Sequence, residues 1–179
     1  MQDSGILFHE RQRLKSKWIW ALLLGVGMIG IYLFLVQIIL GMPVGDSPGS
    51  DSMVIVLTAI LTVGVPLFFI GYNMDTVVHS GGIRVRMIKA TDISIVDIDH
   101  YHAIRFNWLT DYMGIGYRYG KNGLGLVMGG STGVMFHLKN GKKIMIESDL
   151  YEDFIHAVIL SSGKEPGTAQ GFDGGAARI

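Results

Sequence analysis

Two apolar runs without a single charge, residues 19–40 and 53–72, lie about a dozen residues apart near the start of a 179-residue chain. At 1.5 Å of helical rise per residue, a run of about 20 residues covers the hydrocarbon core of a bilayer, so each run is predicted to be a spanning helix. The first run is too long for the roughly 7–15-residue core of a cleaved signal peptide, and a second run follows it closely, so cleavage is not expected. Trp18 and Trp20 stand where the first helix enters the headgroup layer, the place where indole rings are enriched. In the second run Thr58 and Thr62 are expected to return their hydroxyls to carbonyls one turn back, and Pro66 to kink the helix. Residues 41–52 are rich in Gly, Pro, Ser and Asp, which makes the pair a helical hairpin.

Lysine and arginine set the orientation of such a hairpin. Arg11, Arg13, Lys15 and Lys17 precede the first run, Arg84, Arg86 and Lys89 follow the second, and the linker has none. Both termini are therefore expected in the cytoplasm, as a two-pass protein of the inner (cytoplasmic) membrane. The basic cluster before the first run, with Trp18 and Trp20, forms the expected membrane interface and attracts anionic lipid. Gly25, Gly27 and Gly30 permit close backbone approach, for which packing against the second helix is the preferred reading over self-association. Gln37 is available to bond across helices, and neither run holds an acid, base or histidine for an ion path.

Composition divides the chain at the end of the hairpin. Hydrophobic residues make up 49% of the sequence and charged residues 17%, and the apolar excess is concentrated before residue 72. The formal net charge of zero gives no sign of a nucleic-acid partner, and the absence of cysteine excludes disulfides, thiolate catalysis and Cys-based zinc sites. Beyond residue 75 the pattern becomes strands of about 5–8 residues separated by turn signals. Ile83, Val85 and Met87 alternate with Arg84 and Arg86 after a Gly81-Gly82 turn, a hairpin arm with one face in a core. Residues 94–106 alternate as well, and the later strands read as a meander that ends in an Asn140-Gly141 hairpin. Residues 149–160 carry Leu150, Phe154, Ala157 and Val158 at helical spacing, so one amphipathic helix closes an α+β unit.

The hairpin Leu138-Lys-Asn-Gly-Lys-Lys-Ile-Met-Ile146, followed at once by that helix and placed after two membrane runs, resembles the bacterial pleckstrin-homology-like membrane proteins. More narrowly, Tyr112-Met-Gly-Ile-Gly-Tyr-Arg-Tyr-Gly120 and Gly133-Val-Met-Phe-His-Leu-Lys-Asn-Gly141 are similar to an uncharacterised two-helix family of that kind. The resemblance covers residues 75–160. It implies a fold, two near-orthogonal antiparallel sheets capped by a helix, and no activity, since fold does not fix function.

No motif reaches a catalytic, metal or cofactor site. His100 and His102 share a strand face near Asp97 and Asp99, but two imidazoles fall short of the three or four ligands a zinc site needs. The glycines between 114 and 133 match no phosphate loop and read as turns and bulges. Lys139, Lys142 and Lys143 around the last hairpin, with Trp108 and Tyr112, form the candidate partner or lipid surface. The expected organisation is a cytoplasmic segment 1–18, a hairpin 19–72, a β domain 75–160 and a flexible tail 161–179 that only a partner would order. Such a chain reads as a non-enzymatic, membrane-anchored interaction module: an accessory or scaffold subunit of a larger bacterial membrane complex, or a homo-oligomer. The alternative is a lipid-surface or envelope-stress sensor.

Overall fold

A computed structural model of the chain describes residues 5–45, 48–168 and 170. It forms two compact units, one spanning Ser16–Tyr72 and the other made of the segment up to Lys15 together with the chain from Asn73 onward.

The first unit is the predicted hairpin. Helix α1, Lys17–Phe34, continues through a π-helical turn at Leu35–Ile39. After the linker come α2, Asp51–Ala59, a second π-helical turn at Ile60–Gly64, and α3, Val65–Gly71. The continuous helical stretches Lys17–Ile39 and Asp51–Gly71 are both long and apolar enough to cross a membrane. Ser50 caps α2 by accepting from the Met53 N–H at 3.4 Å, and Asp51 adds a negative charge at the positive end of the helix. A π-helical turn, Ile60–Gly64, ends two residues before Pro66, where the sequence predicts a kink. Proline has no N–H for the helical ladder, and widening the preceding turn changes which carbonyls remain to be satisfied.

Small residues bring the two helices together. A Cβ on Gly30 would lie 3.7 Å from the Thr58 Cα, and one on Gly27 3.8 Å from the Thr62 Cγ2, whereas Gly25 faces open space. Thr62 returns its hydroxyl to the Thr58 carbonyl at 2.7 Å, as expected, but Thr58 donates across the hairpin to the Gly30 carbonyl at 3.0 Å. Gln37 also reaches across, donating to the Gly49 carbonyl at 2.6 Å and to Asp51 Oδ1 at 3.1 Å. These bonds satisfy polar groups that hydrocarbon would leave bare.

The second unit is built from two sheets and a helix. The first sheet has the order β1-β2-β3-β4, from Ile6–Arg13, Asn73–His79, Gly82–Arg86 and Ala90–Ser94, and every pairing is antiparallel. Gly82 is required at its turn, because a Cβ there would meet the Ile93 carbonyl oxygen at 2.6 Å. The second sheet has the order β5-β8-β9-β7-β6, from Ile98–Arg105, Thr132–Leu138, Lys143–Glu147, Gly123–Val127 and Gly116–Gly120. A short helix α4, Trp108–Tyr112, joins β5 to β6.

Three expectations are corrected here. The strand order is not a meander, since β8 leaves the β6–β7 hairpin to pair with β5, and β9 returns between β8 and β7, parallel to β7. The sheet is therefore mixed. The β unit is not confined to residues 75–160, because Ile6–Arg13 of the N-terminal segment is an edge strand with Phe8, Glu10 and Gln12 turned inward and buried, and Leu14 just after it is buried as well. The tail is not uniformly loose either. Gly167 N–H donates to the Tyr101 carbonyl at 2.7 Å, Gln170 N–H to Ala103 at 2.9 Å, and Arg105 N–H to Gln170 at 2.9 Å, so this stretch runs parallel along the outer edge of β5. Backbone pairing along an edge strand orders a segment too polar to build a core of its own. Residues 171–179 lie outside the described residues.

Helix α5, Tyr151–Ser162, buries Phe154, Ile155, Ala157 and Val158 and packs on β1 and β2 of one sheet and β8 of the other. Phe154 lies between the sheets, its ring centroid 5.3 Å from Phe8 of β1 and 5.7 Å from Phe136 of β8.

Candidate functional site

Cross-strand register decides which chemistry gathers on the second sheet. On β5, Tyr101 and Ala103 face one side while His100, His102 and Ile104 face the other, because side chains alternate along a strand. The pairing places His100 opposite His137 on β8, and His137 opposite Lys143 on β9. Three groups that carry or accept a positive charge thus form one row across three neighbouring strands. The next row is His102, Met135 and Met145. The His100 and His137 rings stack with centroids 4.1 Å apart and 20° between planes, and His102 lies 5.5 Å from His137.

The third imidazole is one that sequence reasoning missed. It needs the β5–β8 pairing, which joins residues nearly forty apart, and the His137 pattern alone gives no hint of it. Stacked rings do not aim their nitrogens at a common point, and among the described residues no group of three or more His, Cys, Asp or Glu is arranged to hold a metal.

A recess of about 130 Å³ opens beside this row. Its polar lining is His102, His137, Lys143, Asn122 and Gln170, over a floor of Ile104 and Met135. Burial, then the neighbouring charge of His100, holds both the His102 and the His137 imidazoles below the ordinary histidine range. The Lys143 ammonium pushes both the same way. Asp99 is the nearby acid: its carboxylate bonds His100 Nδ1 at 2.9 Å, outside the recess, and that bond holds its pKa down.

The remaining residues singled out from sequence fall into four places. Lys139 and Lys142 are placed around the β8–β9 turn, where Lys142 N–H is bonded to Asn140 Oδ1 at 3.0 Å, and so only Lys143 of the three joins the histidine row. Tyr112 is not a surface residue. It is 1% exposed, its ring edge-to-face with Phe106 at 5.7 Å in a cluster with Ile104, Val127, Met135 and Met145, because Gly120 and Gly125 leave room for it. Trp108 packs half-buried against the same cluster, at the end of β5 away from the lysine turn. Arg11 and Arg13 project from β1, where Arg11 lies 3.7 Å from Asp75, and Lys15 is paired with Asp149. In the hairpin unit Lys17 opens α1, Trp18 is 83% exposed, and Trp20 lines an apolar groove of about 300 Å³ with Leu24, Gly27, Leu61 and Pro66.

A second polar centre is internal. Glu147, at the end of β9, accepts from the N–H groups of Met128 at 2.7 Å, Gly129 at 3.1 Å and Gly130 at 2.8 Å. Glu10 of β1 accepts from Gln12 Nε2 at 2.9 Å, Ser148 Oγ at 2.6 Å and the Asp149 N–H at 3.0 Å. Gln12 also donates to the Glu147 carbonyl at 3.3 Å, so the edge strand of one sheet is tied to the last strand of the other. With their oxygens occupied by chain donors, both carboxylates serve the fold.

No family model matches this chain, and no curated protein matches it significantly.

Proposed function

We propose that this chain is a non-catalytic, membrane-anchored interaction module of the bacterial inner membrane, an accessory subunit whose helical hairpin inserts beside a larger partner and whose β unit engages that partner on the cytoplasmic side. The observation that carries the reading is the pairing of the two strands that flank the hairpin. Arg13, where β1 ends, is opposite Asn73, where β2 begins. The chain leaves and re-enters the sheet one strand spacing apart, about 4.8 Å, which ties the β unit to both ends of the hairpin and suits two passes with termini on one side. The basic residues on these strands support the cytoplasmic side by the positive-inside rule.

The likeness to pleckstrin-homology-like membrane proteins belongs to the same proposal. A helix that inserts Phe154 between the aromatic side chains of two sheets supports it, and the parallel β7–β9 pairing departs from the wholly antiparallel arrangement that likeness implies. The test is purification of the tagged chain from its native membranes in mild detergent, followed by sizing. The expected result is a stoichiometric membrane protein that stays bound, and a lone monomer or homo-oligomer would sink the accessory-subunit reading. The histidine–lysine row favours the second reading, a sensor at an anionic surface.

A further inference from the structure

We propose that the recess beside the His100–His137–Lys143 row is a binding site for a small oxyanion of the phosphate class, with Lys143 as its fixed charge and His102 and His137 as donors recruited when it binds. This deepens the sensor reading and does not depend on whether a protein partner exists.

Register makes the case first. Like charges directly opposite one another in a sheet are destabilising, yet three potentially cationic side chains occupy one row across β5, β8 and β9. Among the described residues, the polar lining of the recess comprises two imidazoles, an ammonium and two amides, and no carboxylate. The acid that approaches the row, Asp99, is spent on His100 at 2.9 Å and is more than half exposed. Lys164 of the tail, whose ammonium donates to the Ile98 carbonyl at 2.5 Å, and Lys139 in the turn both act on Asp99, and Asp99 in turn favours the charged form of His137 against the pull of burial, His100 and Lys143. A donor-rich concavity suits an anion, and its size of about 130 Å³ suits a tetrahedral oxyanion rather than a nucleotide.

Chemistry then sets the pH behaviour. Imidazoles kept neutral by burial and by one another gain a reason to protonate when a dianion arrives, so binding takes up protons and strengthens on acidification. Lys143 contributes an ammonium donor to the same site from β9. The tail contributes Gln170 as one wall, held in place by its backbone bonds to Ala103 and Arg105. The shared chemistry, a phosphate group, has two sources, a soluble phosphate and the headgroup of a lipid.

The experiment uses the full chain in nanodiscs of zwitterionic lipid, with histidine, tyrosine and phenylalanine rings carbon-13 labelled and followed by NMR. Inorganic phosphate is the first probe, and nanodiscs doped with phosphatidic acid are the second. Saturable shifts of the His102 and His137 signals are expected with phosphate, and with sulfate, a dianion at both pH values, the apparent affinity should be at least tenfold tighter at pH 6 than at pH 8. Lys143→Gln should weaken binding at least tenfold at both pH values, while Lys89→Gln, far along the chain on the other sheet's turn, should leave it unchanged. Unperturbed signals from Tyr112 and Phe136 in Lys143→Gln would establish that the sheet is intact. Response to free phosphate assigns a soluble ligand, and response to phosphatidic acid alone assigns a headgroup. Silence of both imidazoles to both probes, or shifts unchanged by Lys143→Gln, would overturn the site, and neither result touches the co-purification test of the accessory-subunit reading.

Discussion

Glu147 on β9 and the histidines on β5 and β8 pull the pH dependence of the fold in opposite directions, and the signs follow from their environments. Burial pushes the Glu147 carboxyl up to about 7, against the opposing pull of the Met128, Gly130 and Gly129 N–H groups. Its ordinary value is near 4.5, so the folded state binds a proton that the unfolded state releases between these limits. That contribution is fully present below about pH 4.5 and is lost as pH rises to about 7, a difference of roughly 3 kcal/mol. His102 and His137 are held below the ordinary 6.5, so their contribution is present above that value and is lost as pH falls through the lowered folded values. Melting of the wild type is therefore expected to improve as pH falls from about 7 to 6.5, and below that the Glu147 gain, which continues to about pH 4.5, is opposed by a decline from His102 and His137. Glu147→Gln should lose the improvement and keep the decline, and an unchanged alkaline limb in that variant would refute the assignment to Glu147. At Gly125 the forecast is steric: a Cβ would run into the Tyr112 ring, so Gly125→Ala should cost about 1–3 kcal/mol, read as a lower melting midpoint.

At the scale of elements, the legible parts of the fold are those whose side chains obey a single period. The two helical runs, the Gly82 hairpin and α5 announce themselves because their apolar positions repeat at one spacing, and no charged residue interrupts the buried face. Strand β1 does not, because two of its inward positions are Glu10 and Gln12, and their burial is tolerated only through donors and acceptors on β9 and the residues after it. Half of the candidate site is legible for a similar reason: His100 and His102 share a face by alternation, but His137 and Lys143 reach them through long-range pairing that sequence spacing does not encode. Tyr112 reads as a surface residue in the sequence because its burial depends on the missing side chains of Gly120 and Gly125. Two elements can be tested directly. Ending the chain after Gly163 should leave the β5 edge bare, and hydrogen exchange at the Arg105 amide, now bonded to the Gln170 carbonyl, should accelerate strongly. Retained protection at Arg105 would mean that the tail does not cover that edge. In the hairpin, Gly30→Leu should force α1 away from α2, since the added side chain would meet the Thr58 backbone and displace the Thr58 hydroxyl from the Gly30 carbonyl. A cysteine pair at Gly27 and Thr62 should then cross-link less readily than in the parent hairpin.

For the molecule as a whole, the proposed membrane anchoring turns on which side of a bilayer each part would occupy, and the chain is well suited to answer it because its sequence holds no cysteine. An even number of spans returns the chain to its starting side, and the antiparallel pairing of Arg13 with Asn73 demands the same. These are independent constraints: one comes from hydrophobic length and the other from hydrogen bonding between strands that the hairpin separates by some sixty residues. A single spanning helix, with the other lying in the interface, would set Arg13 and Asn73 on opposite sides of about 30 Å of hydrocarbon, and β1 could not pair with β2. Single cysteines at Pro48, exposed in the linker, and at Lys142 in the β8–β9 turn read this out with a maleimide that does not cross membranes. In spheroplasts, Pro48→Cys should label and Lys142→Cys should not until the membrane is permeabilised. Labelling of both in intact spheroplasts would break the two-pass topology. The reverse pattern would keep the hairpin and place the β unit, with its histidine recess, on the periplasmic side, where bulk pH is set by the surroundings and the proposed oxyanion would come from outside the cell.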